Sequence, residues 1–465
     1  MRRLPLSTIA GWTGGTLLGD DVTVDAIATD TRALQAGDAG AGPLFVALRG
    51  ERFDGHDHVA VAAAAGARAA MVSRALDTAL PQVLVADTQA ALGAIATAMQ
   101  RTRATRVVAI TGSNGKTSVK QLLLAILQRG AGAYANPGNR NNEIGLPLAV
   151  IDAPDDAALA VYEMGAGKPG DIAYLAAIAR PDVALVNNVA AAHLERLGSL
   201  DGVADTKAAI YDALADAGVA VVNADDAYSA QFVARVSMLP GAARRVLRFS
   251  LDATTAADVT ARDIAPREGG SDFTLATALG EARVALPLPG RHSVANALAA
   301  AALAIACGRP LADIVAGLQG ATPVGGRLVR HALRDGATLV DDSYNANPGS
   351  LAAAITLLAA LPGPRWLVLG DMRELGADGA TLHAAAGRAA RDAGIDRLYA
   401  LGELSAQAAS AFGDRSRTFK SHAVLAEALR ADLVPGAQVL VKGSRGSAMD
   451  RIVDALLQGN AGDAA

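Results

Sequence analysis

The sequence predicts an α/β protein of three domains, with a parallel sheet in the middle domain. An apolar block, Val107 to Ile110, precedes the glycine-containing segment Thr111 to Ser118, and apolar residues at helical spacing follow it from Val119 to Leu127. Strand and helix patterns then alternate through the middle and the end of the chain, as is typical of parallel sheets covered by helices.

Changes in these patterns divide the 465 residues at two points. Residues 1–102 mix short strands with an alanine-rich helix, which predicts a small N-terminal α/β domain. Residues 103–322 carry the parallel sheet of a central domain, and period-two alternation from Arg245 to Leu288 predicts an antiparallel extension of that sheet. A linker rich in proline and glycine, Thr322 to Arg327, leads into a second sheet, a Rossmann-like C-terminal domain over residues 323–465.

Composition argues against several classes of protein. The 42 Lys and Arg against 46 Asp and Glu give a net charge of -4, which does not suit a nucleic-acid partner. A single cysteine, Cys307, excludes an internal disulfide. The N-terminal segment lacks a convincing cleavage site, and no apolar run is long enough to span a bilayer. We therefore expect a cytoplasmic protein, a monomer, whose partners are small molecules.

The segment TGSNGKTS, from Thr111 to Ser118, has the residue types that bind a nucleoside triphosphate. Its two glycines allow backbone N–H groups to turn toward an anion, and the start of the next helix adds partial positive charge. Lys116 can reach the outer phosphates, and the Thr117 hydroxyl can bind magnesium. Ile110 replaces the first glycine of the full motif, so a glycine turn with an exposed lysine stays an alternative. The predicted ATP contacts are Gly112, Ser113, Asn114, Gly115, Lys116, Thr117 and Ser118.

Polar residues follow the predicted strands of the central sheet. Glu163, the pair Asn187 and Asn188, and the segment from Asn223 to Asp225 each stand where a strand ends, so we expect them to converge beside the phosphate loop. Glu163 with the Thr117 hydroxyl would supply hard oxygen ligands for magnesium. His193 could bind a second metal ion or donate a hydrogen bond to phosphate, and a surface or capping histidine is the alternative. The local sequence around Lys207 predicts a solvated lysine.

Two further polar segments suggest ligand contacts. The run from Asn136 to Gly145 holds four asparagines within seven residues, which favours a polar ligand over a core, although a solvent loop stays an alternative. In the N-terminal domain, Thr31 and Arg32 form a pair suited to a phosphate or carboxylate, and a solvated loop is an equal alternative there.

The chain resembles the Mur ligases, a family of ATP-dependent enzymes that form amide bonds in peptidoglycan synthesis. The resemblance extends over all three domains and rests on motifs in the same order: TGSNGKTSVK, NPGNRNNEIG, YEMGA, NNVAAAHLERLGS, LPGRHSVANALAA, DDSYNANP, GDMRELG and VKGSRGSAM. The asparagine run and DDSYNANP resemble the branch that joins D-alanyl-D-alanine to UDP-N-acetylmuramoyl-tripeptide. The alternatives are another Mur or folylpolyglutamate-type ligase and, from a different class, a phosphate-loop ATPase that works as a switch.

The resemblance implies roles for the matching residues. Lys116, His193 and Lys207 would be catalytic, and Lys207 would be carbamylated by carbon dioxide, which converts a cation into a carboxylate-like ligand. Two magnesium ions would be held by Thr117, Glu163, His193 and Lys207. The nucleotide base and ribose would contact Asn296, Arg327 and Asp342. Contacts to the UDP-sugar peptide and to the dipeptide would come from Thr31, Arg32, Asn139, Asn142, Asn345, Asn347, Lys442, Ser444 and Arg445.

Overall fold

The computed structural model describes residues 1–34, 41–51, 53–130, 132–333 and 336–461. Three separate larger sheets lie in succession along these residues, each covered by helices. The predicted α/β fold of three domains is therefore confirmed. None of the helices in this part of the chain is both long and apolar enough to cross a membrane.

The first part of the chain forms a five-stranded sheet of order β2-β7-β6-β5-β4 and a small β1-β3 pair. Alternate residues of β5 face two different cores, because Leu44 packs with helix residues such as Leu92 whereas Phe45 packs with Val59. The strands are β1 (Leu4–Pro5), β2 (Thr16–Leu18), β3 (Thr23–Val24), β4 (Ala26–Ala28), β5 (Pro43–Val46), β6 (Ala69–Val72) and β7 (Gln82–Leu84), and the helices are α1 (Leu6–Thr13), α2 (Val59–Ala64) and α3 (Thr88–Arg101).

The central sheet has nine strands in the order β16-β15-β14-β13-β12-β11-β8-β10-β9. Its strands are β8 (Arg106–Thr111), β9 (Tyr134–Ala135), β10 (Leu159–Glu163), β11 (Val183–Val186), β12 (Val219–Asn223), β13 (Arg245–Ser250), β14 (Val259–Arg267), β15 (Gly270–Thr277) and β16 (Gly280–Leu286). Its helices are α4 (Lys116–Leu127), α5 (Gly145–Asp152), α6 (Asp171–Ala179), α7 (Leu194–Leu197), α8 (Leu200–Asp212), α9 (Ser229–Ser237), α10 (Arg291–Ala306) and α11 (Leu311–Gln319).

The apolar run in β8 is explained by packing on both faces of the sheet. Val108 and Ile110 pack into the core beneath α4 and α10, whereas Val107 and Ala109 pack into the core on the opposite face. In sheet order, the seven neighbouring strands β9, β10, β8, β11, β12, β13 and β14 pair in parallel. At the other end of the sheet, β15 pairs antiparallel with both β14 and β16. The predicted antiparallel extension is confirmed for β14 to β16, but its predicted start at Arg245 is wrong, because β13 still pairs in parallel with β12 and β14.

The C-terminal sheet has six strands in the order β17-β18-β22-β19-β20-β21, and only β17 runs antiparallel to its neighbour among the described pairs. The strands are β17 (Val329–Ala332), β18 (Thr338–Asp342), β19 (Arg365–Gly370), β20 (Arg397–Leu401), β21 (Ser416–Phe419) and β22 (Gln438–Lys442). The helices are α12 (Pro348–Ala359), α13 (Gly379–Asp392), α14 (Ser405–Phe412), α15 (His422–Asp432) and α16 (Asp450–Ala461).

Candidate active site

A cleft of about 620 Å³ lies between the central and C-terminal sheets. The carboxyl ends of β8, β10 and β11 open into it from one side, and those of β18 and β22 from the other. It brings together most of the residues predicted to act on ligands: Ser113, Asn114, Gly115, Lys116, Thr117, Ser118, Asn142, Glu163, His193, Lys207, Asn296, Arg327, Asp342, Asn345, Asn347 and Lys442.

The phosphate loop connects β8 to α4 in a conformation that requires glycine. Gly115 has a φ of +79°, and a Cβ there would lie 2.3 Å from Asn296 Oδ1, so no larger side chain fits. Lys116 folds back over the loop, where its Nζ donates to the carbonyl of Gly112 at 2.7 Å. Burial lowers the pKa of Lys116, and the charge of Arg327 lowers it further. In this structure the Lys116 ammonium is therefore held by the backbone of its own loop, beside the cleft.

Glu163 ends β10 beside the first turn of α4 and is 3% exposed. Its Oε2 accepts a hydrogen bond from Thr117 Oγ1 at 2.9 Å, and its Oε1 accepts one from Asn141 Nδ2 at 2.9 Å. Burial alone would raise the pKa of Glu163, but Lys120, Lys116 and these hydrogen bonds together hold it below its ordinary value. A hydroxyl and an ionised carboxylate thus lie side by side, as a magnesium site requires.

Lys120 is a residue of this site that sequence reasoning missed. It is buried, its Nζ donates to the carbonyls of Asn136 at 3.1 Å and Gly138 at 3.3 Å, and it lies 3.4 Å from Glu163 Oε2. The available signal was a lysine one helical turn after Lys116, on a helix whose other buried residues are apolar. Lys120 ties the asparagine run to the helix that follows the phosphate loop.

The asparagine run uses much of its polarity inside the protein. Asn136 pairs with the backbone of Glu163, accepting from its N–H at 2.9 Å and donating to its carbonyl at 3.1 Å. Asn142 accepts from the N–H of Gly145 at the start of α5, and Asn139 is exposed outside the cleft wall. The run was predicted to contact a ligand, and here two of its amides position Glu163.

Lys207 is buried in α8 with 2% exposure and lines the cleft. Within the described part of the chain its ammonium has no hydrogen-bond or ionic partner. Burial, together with the charge of Lys116, lowers the pKa of Lys207 to about 7. The solvated position expected from the local sequence is therefore wrong, and a buried amine that readily loses its proton faces the cleft instead.

His193 begins α7 with a φ of +56°, an uncommon conformation for a residue other than glycine. Its Nδ1 contacts the carboxylate of Glu374, in the segment between β19 and α13. Burial lowers the pKa of His193, against the opposing charge of Glu374. Among the described residues, no group of three or more His, Cys, Asp or Glu side chains is arranged to hold a metal ion, so a metal site here would depend on other donors as well.

The facing wall of the cleft presents a second set of charges. Arg327 donates to Thr117 Oγ1 at 3.0 Å and stacks over the ring of Tyr344 at 4.4 Å. Lys442 is buried, and its Nζ lies 2.5 Å from Asp342 Oδ2 and 2.9 Å from the carbonyl of Asn345. Burial raises the pKa of Asp342, while Lys442 opposes that rise. Asp342 and Lys442 are thus already paired.

The remaining predicted residues lie outside the cleft wall. Ser444 donates to the carbonyl of Asp371 at 2.6 Å, and exposed Arg445 stacks over Tyr344 at 5.3 Å. The guanidinium of Arg32 is 88% exposed and pairs with Asp30 at 2.6 Å. Thr31 and Arg32 follow Asp30 at the rim of a second cavity, of about 530 Å³, that reaches from β4 to α5. Gly112 and Asn139 are likewise absent from the wall of the larger cleft.

Comparison with known proteins finds three family models that match successive parts of the chain. Residues 23–113 match the Mur ligase family catalytic domain, residues 110–304 the Mur ligase middle domain, and residues 326–445 the Mur ligase glutamate ligase domain. The UDP-N-acetylmuramoyl-tripeptide-D-alanyl-D-alanine ligase of Escherichia coli (strain K12) is 45% identical over 459 residues, which cover 98% of this chain and 99% of that protein.

Solved structures agree with these sequence matches. A crystal structure of MurF from Acinetobacter baumannii superposes with a TM-score of 0.91 at 32% identity, covering 98% of this chain and 99% of that one. The MurF ligase of Thermotoga maritima, determined in complex with ADP, superposes with a TM-score of 0.83 at 28% identity, covering 93% and 97% of the two chains. The similarity therefore extends over all three domains.

Proposed function

Because the chain belongs to the Mur ligase family, we propose that it joins D-alanyl-D-alanine to UDP-N-acetylmuramoyl-tripeptide and converts ATP to ADP and phosphate. The observation that carries this proposal is the cleft, in which a phosphate loop and a buried carboxylate face the DDSYNANP segment of the C-terminal sheet. The product would be the pentapeptide precursor of peptidoglycan, and the proposal is supported by the ligase from Escherichia coli that the chain matches along its length.

The reaction requires activation of a carboxylate. The terminal carboxylate of the tripeptide attacks the γ-phosphorus of ATP, which gives an acyl phosphate and releases ADP. The amine of D-alanyl-D-alanine then attacks the acyl carbon, and the tetrahedral intermediate loses inorganic phosphate as the amide forms. Lys116 and the loop N–H groups offset the negative charge that builds on the transferred phosphoryl oxygens, and Arg327 adds a second cation across the cleft.

The residues present fit one magnesium ion directly. Thr117 and Glu163 supply a hydroxyl and a carboxylate within 2.9 Å of each other, which are donors that magnesium prefers. When bound, the ion would supply positive charge to the phosphate oxygens. The positioning of Glu163 by Asn136, Asn141 and Lys120 keeps this carboxylate in one orientation.

A second ion would be held by His193 and Lys207, and an ammonium group does not fit a cation. We therefore propose that Lys207 is carbamylated: its neutral amine adds to carbon dioxide and releases a proton, which leaves a negatively charged carbamate. Its burial, its lowered pKa and the absence of a partner within the described residues all support this reaction. The positive charge of Lys116 nearby would stabilise the carbamate.

The other expectations stay predictions. The UDP-sugar peptide is assigned to Thr31 and Arg32 with the asparagine loop, and the dipeptide to the segments around Asn345 and Arg445. The domain limits 1–102, 103–322 and 323–465, the monomeric state and the cytoplasmic location are likewise predictions from the sequence.

The test is ADP release by the purified protein with ATP and magnesium, adding UDP-N-acetylmuramoyl-tripeptide and D-alanyl-D-alanine singly and then together. A ligase releases ADP in quantity only with both, and mass spectrometry detects a product heavier by one dipeptide unit. ADP release that is indifferent to both substrates would contradict the proposal and favour a phosphate-loop ATPase.

A further inference from the structure

Asn347 connects the C-terminal sheet to the phosphate loop. It is buried at the start of α12, and its Oδ1 accepts a hydrogen bond from the N–H of Ser350 at 2.9 Å. Its Nδ2 donates to Asn114 Oδ1, in the phosphate loop, at 2.7 Å. Both polar groups of the side chain are therefore used by the protein itself, and a substrate would have to displace one of them.

Asn114 is in turn fixed by the strand end beside it. Its N–H donates to Asn188 Oδ1 at 2.8 Å, and its carbonyl accepts from Asn187 Nδ2 at 2.9 Å and Asn188 Nδ2 at 3.2 Å. Asn187 also donates to Asn296 at 3.0 Å. Because hydrogen bonds hold the backbone of Asn114 through both its N–H and its carbonyl, its side-chain oxygen is positioned together with the phosphate loop.

The other contacts across the cleft are of a different kind. Arg327 reaches Thr117 with a long charged side chain that can follow a moving partner. His193 and Glu195, at the partly exposed start of α7, both contact Glu374 of the loop after β19: the His193 ring contacts its carboxylate, and the N–H of Glu195 donates to its carbonyl at 3.3 Å. The amide pair is short, neutral and directional, so it forms only when the two domains are in one particular arrangement.

We propose that Asn114 and Asn347 are positioning residues that align the C-terminal domain with the phosphate loop when the cleft closes. Asn347 thereby acts on the reaction through the position of the domain that carries the dipeptide site, and does not bind the dipeptide. This inference rests on the ligase activity proposed above.

The energy of one neutral hydrogen bond sets the size of the effect. Its net contribution corresponds to roughly a threefold to tenfold change in the closed population. For Asn347→Ser we expect this change in kcat for ligation, while the KM values for ATP and D-alanyl-D-alanine change by less than about twofold, because in this proposal Asn347 contacts neither substrate.

The variant Asn347→Ser separates the two roles of the residue. Serine is also a good helix N-cap, so α12 keeps its start, but its side chain is too short to reach Asn114. Asn114→Ala removes the acceptor, and the double variant completes a thermodynamic cycle. Ser350→Ala is the matched control, because it removes the reciprocal hydrogen bond at the same helix start and leaves the Asn114 contact intact.

The expected result is that the double variant Asn114→Ala with Asn347→Ser loses no more kcat than the worse single variant, whereas the losses of Asn114→Ala and Ser350→Ala multiply. Small-angle X-ray scattering with a non-hydrolysable ATP analogue should show a larger radius of gyration for Asn347→Ser than for the wild type. Multiplying losses for the first pair, or a selective rise in the KM for D-alanyl-D-alanine in Asn347→Ser, would overturn the inference.

Failure of the proposed function is distinguishable from failure of this inference. If the wild-type protein does not ligate in the same assay, the proposed function fails, and the scattering comparison still tests the contact. If the wild type ligates and the Asn347→Ser variant closes normally with unchanged kcat, the inference alone fails.

Discussion

The ATP-facing part of the cleft and the rim of the N-terminal cavity hold their charges in different ways. In the cleft, Glu163 and Lys207 are almost completely buried, and Glu163 is hydrogen-bonded through both carboxylate oxygens. At the N-terminal rim, Arg32 is 88% exposed and pairs with its near neighbour Asp30. Phosphoryl transfer needs charges fixed before the substrate arrives, whereas recognition of a large sugar nucleotide can use side chains that reorient on binding.

Of the variants that test this comparison, Lys116→Met should cause the largest loss of activity. Removing a fixed cation beside the transferred phosphoryl group should lower kcat by about 1000-fold, in the range found for such groups. Steady-state ligation assays measure the loss, and circular dichroism verifies that the variant is folded. Lys420→Met, at an exposed lysine outside the cleft, is the control and should retain full activity. Near-normal turnover in folded Lys116→Met would refute the assignment.

Lys207→Ala should be the next most damaging change, with a loss of about 100-fold because a charge-stabilising ligand is missing. Added formate or acetate should restore part of the activity by replacing the carbamate. Lys116→Ala is the matched control, since a carboxylate cannot replace a cation. An active Lys207→Ala variant that does not respond to carboxylates would mean that Lys207 is merely a buried residue.

The carbamate itself should depend on pH. Because burial and Lys116 lower the pKa of Lys207 to about 7, its neutral amine predominates above pH 7 and its ammonium form below. The ¹³C NMR signal of protein equilibrated with ¹³C-bicarbonate should therefore grow between pH 6 and pH 8 in the wild type. Lys207→Arg should give no such signal at either pH, and a signal in that variant would place the carbamate elsewhere.

Lys120→Met should affect the stability of the folded protein more than the reaction. It leaves the carbonyls of Asn136 and Gly138 and the carboxylate of Glu163 without a buried cation, which should lower the free energy of unfolding by about 2 kcal/mol. Urea denaturation measures this loss. Magnesium with ATP should recover part of it in the variant by placing a cation beside Glu163, and an undiminished stability without ligands would contradict the positioning of Glu163 by Lys120.

Arg32→Ala should have the smallest effect. Its ion pair with Asp30 is exposed, so stability should not change measurably. Loss of a cation at the rim should raise the KM for UDP-N-acetylmuramoyl-tripeptide by about fivefold and leave the KM for ATP unchanged, as a purely binding contact does. Arg3→Ala, at another exposed arginine of the N-terminal domain, is the control. An equal effect of both variants on this KM would mean that Arg32 has no specific role in binding the sugar nucleotide.

The sequence allowed the central sheet and its strand ends to be predicted, because local periodicity reports strands and the carboxyl ends of parallel strands must meet. Glu163, Asn187 and Asn223 converge as expected, with Asn223 donating to the carbonyl of Asn187 at 3.0 Å. The burial of Lys207 could not be read from its alanine-rich neighbourhood, because that burial depends on which face of α8 packs on the sheet.

Contacts between distant parts of the chain were also beyond local reasoning. Lys442 pairs with Asp342, which lies 100 residues earlier, and Asn347 pairs with Asn114 across 233 residues. A side chain's type reveals that it needs a partner, but only the packing of two sheets decides which partner it finds. For this reason several residues predicted to bind substrate are already engaged within the protein.

The opposed arrangement of the two sheets has a practical consequence for engineering. Each strand at the cleft contributes through its carboxyl end alone, so the amino ends of β8 and β18, at Arg106 and Thr338, lie about 15 Å or more from the chemistry. Fluorescent labels, affinity handles or surface charges placed on those outer edges should leave turnover intact. The amino ends of β8 and β18 are therefore two positions for modification, each separated from the cleft by the length of a strand.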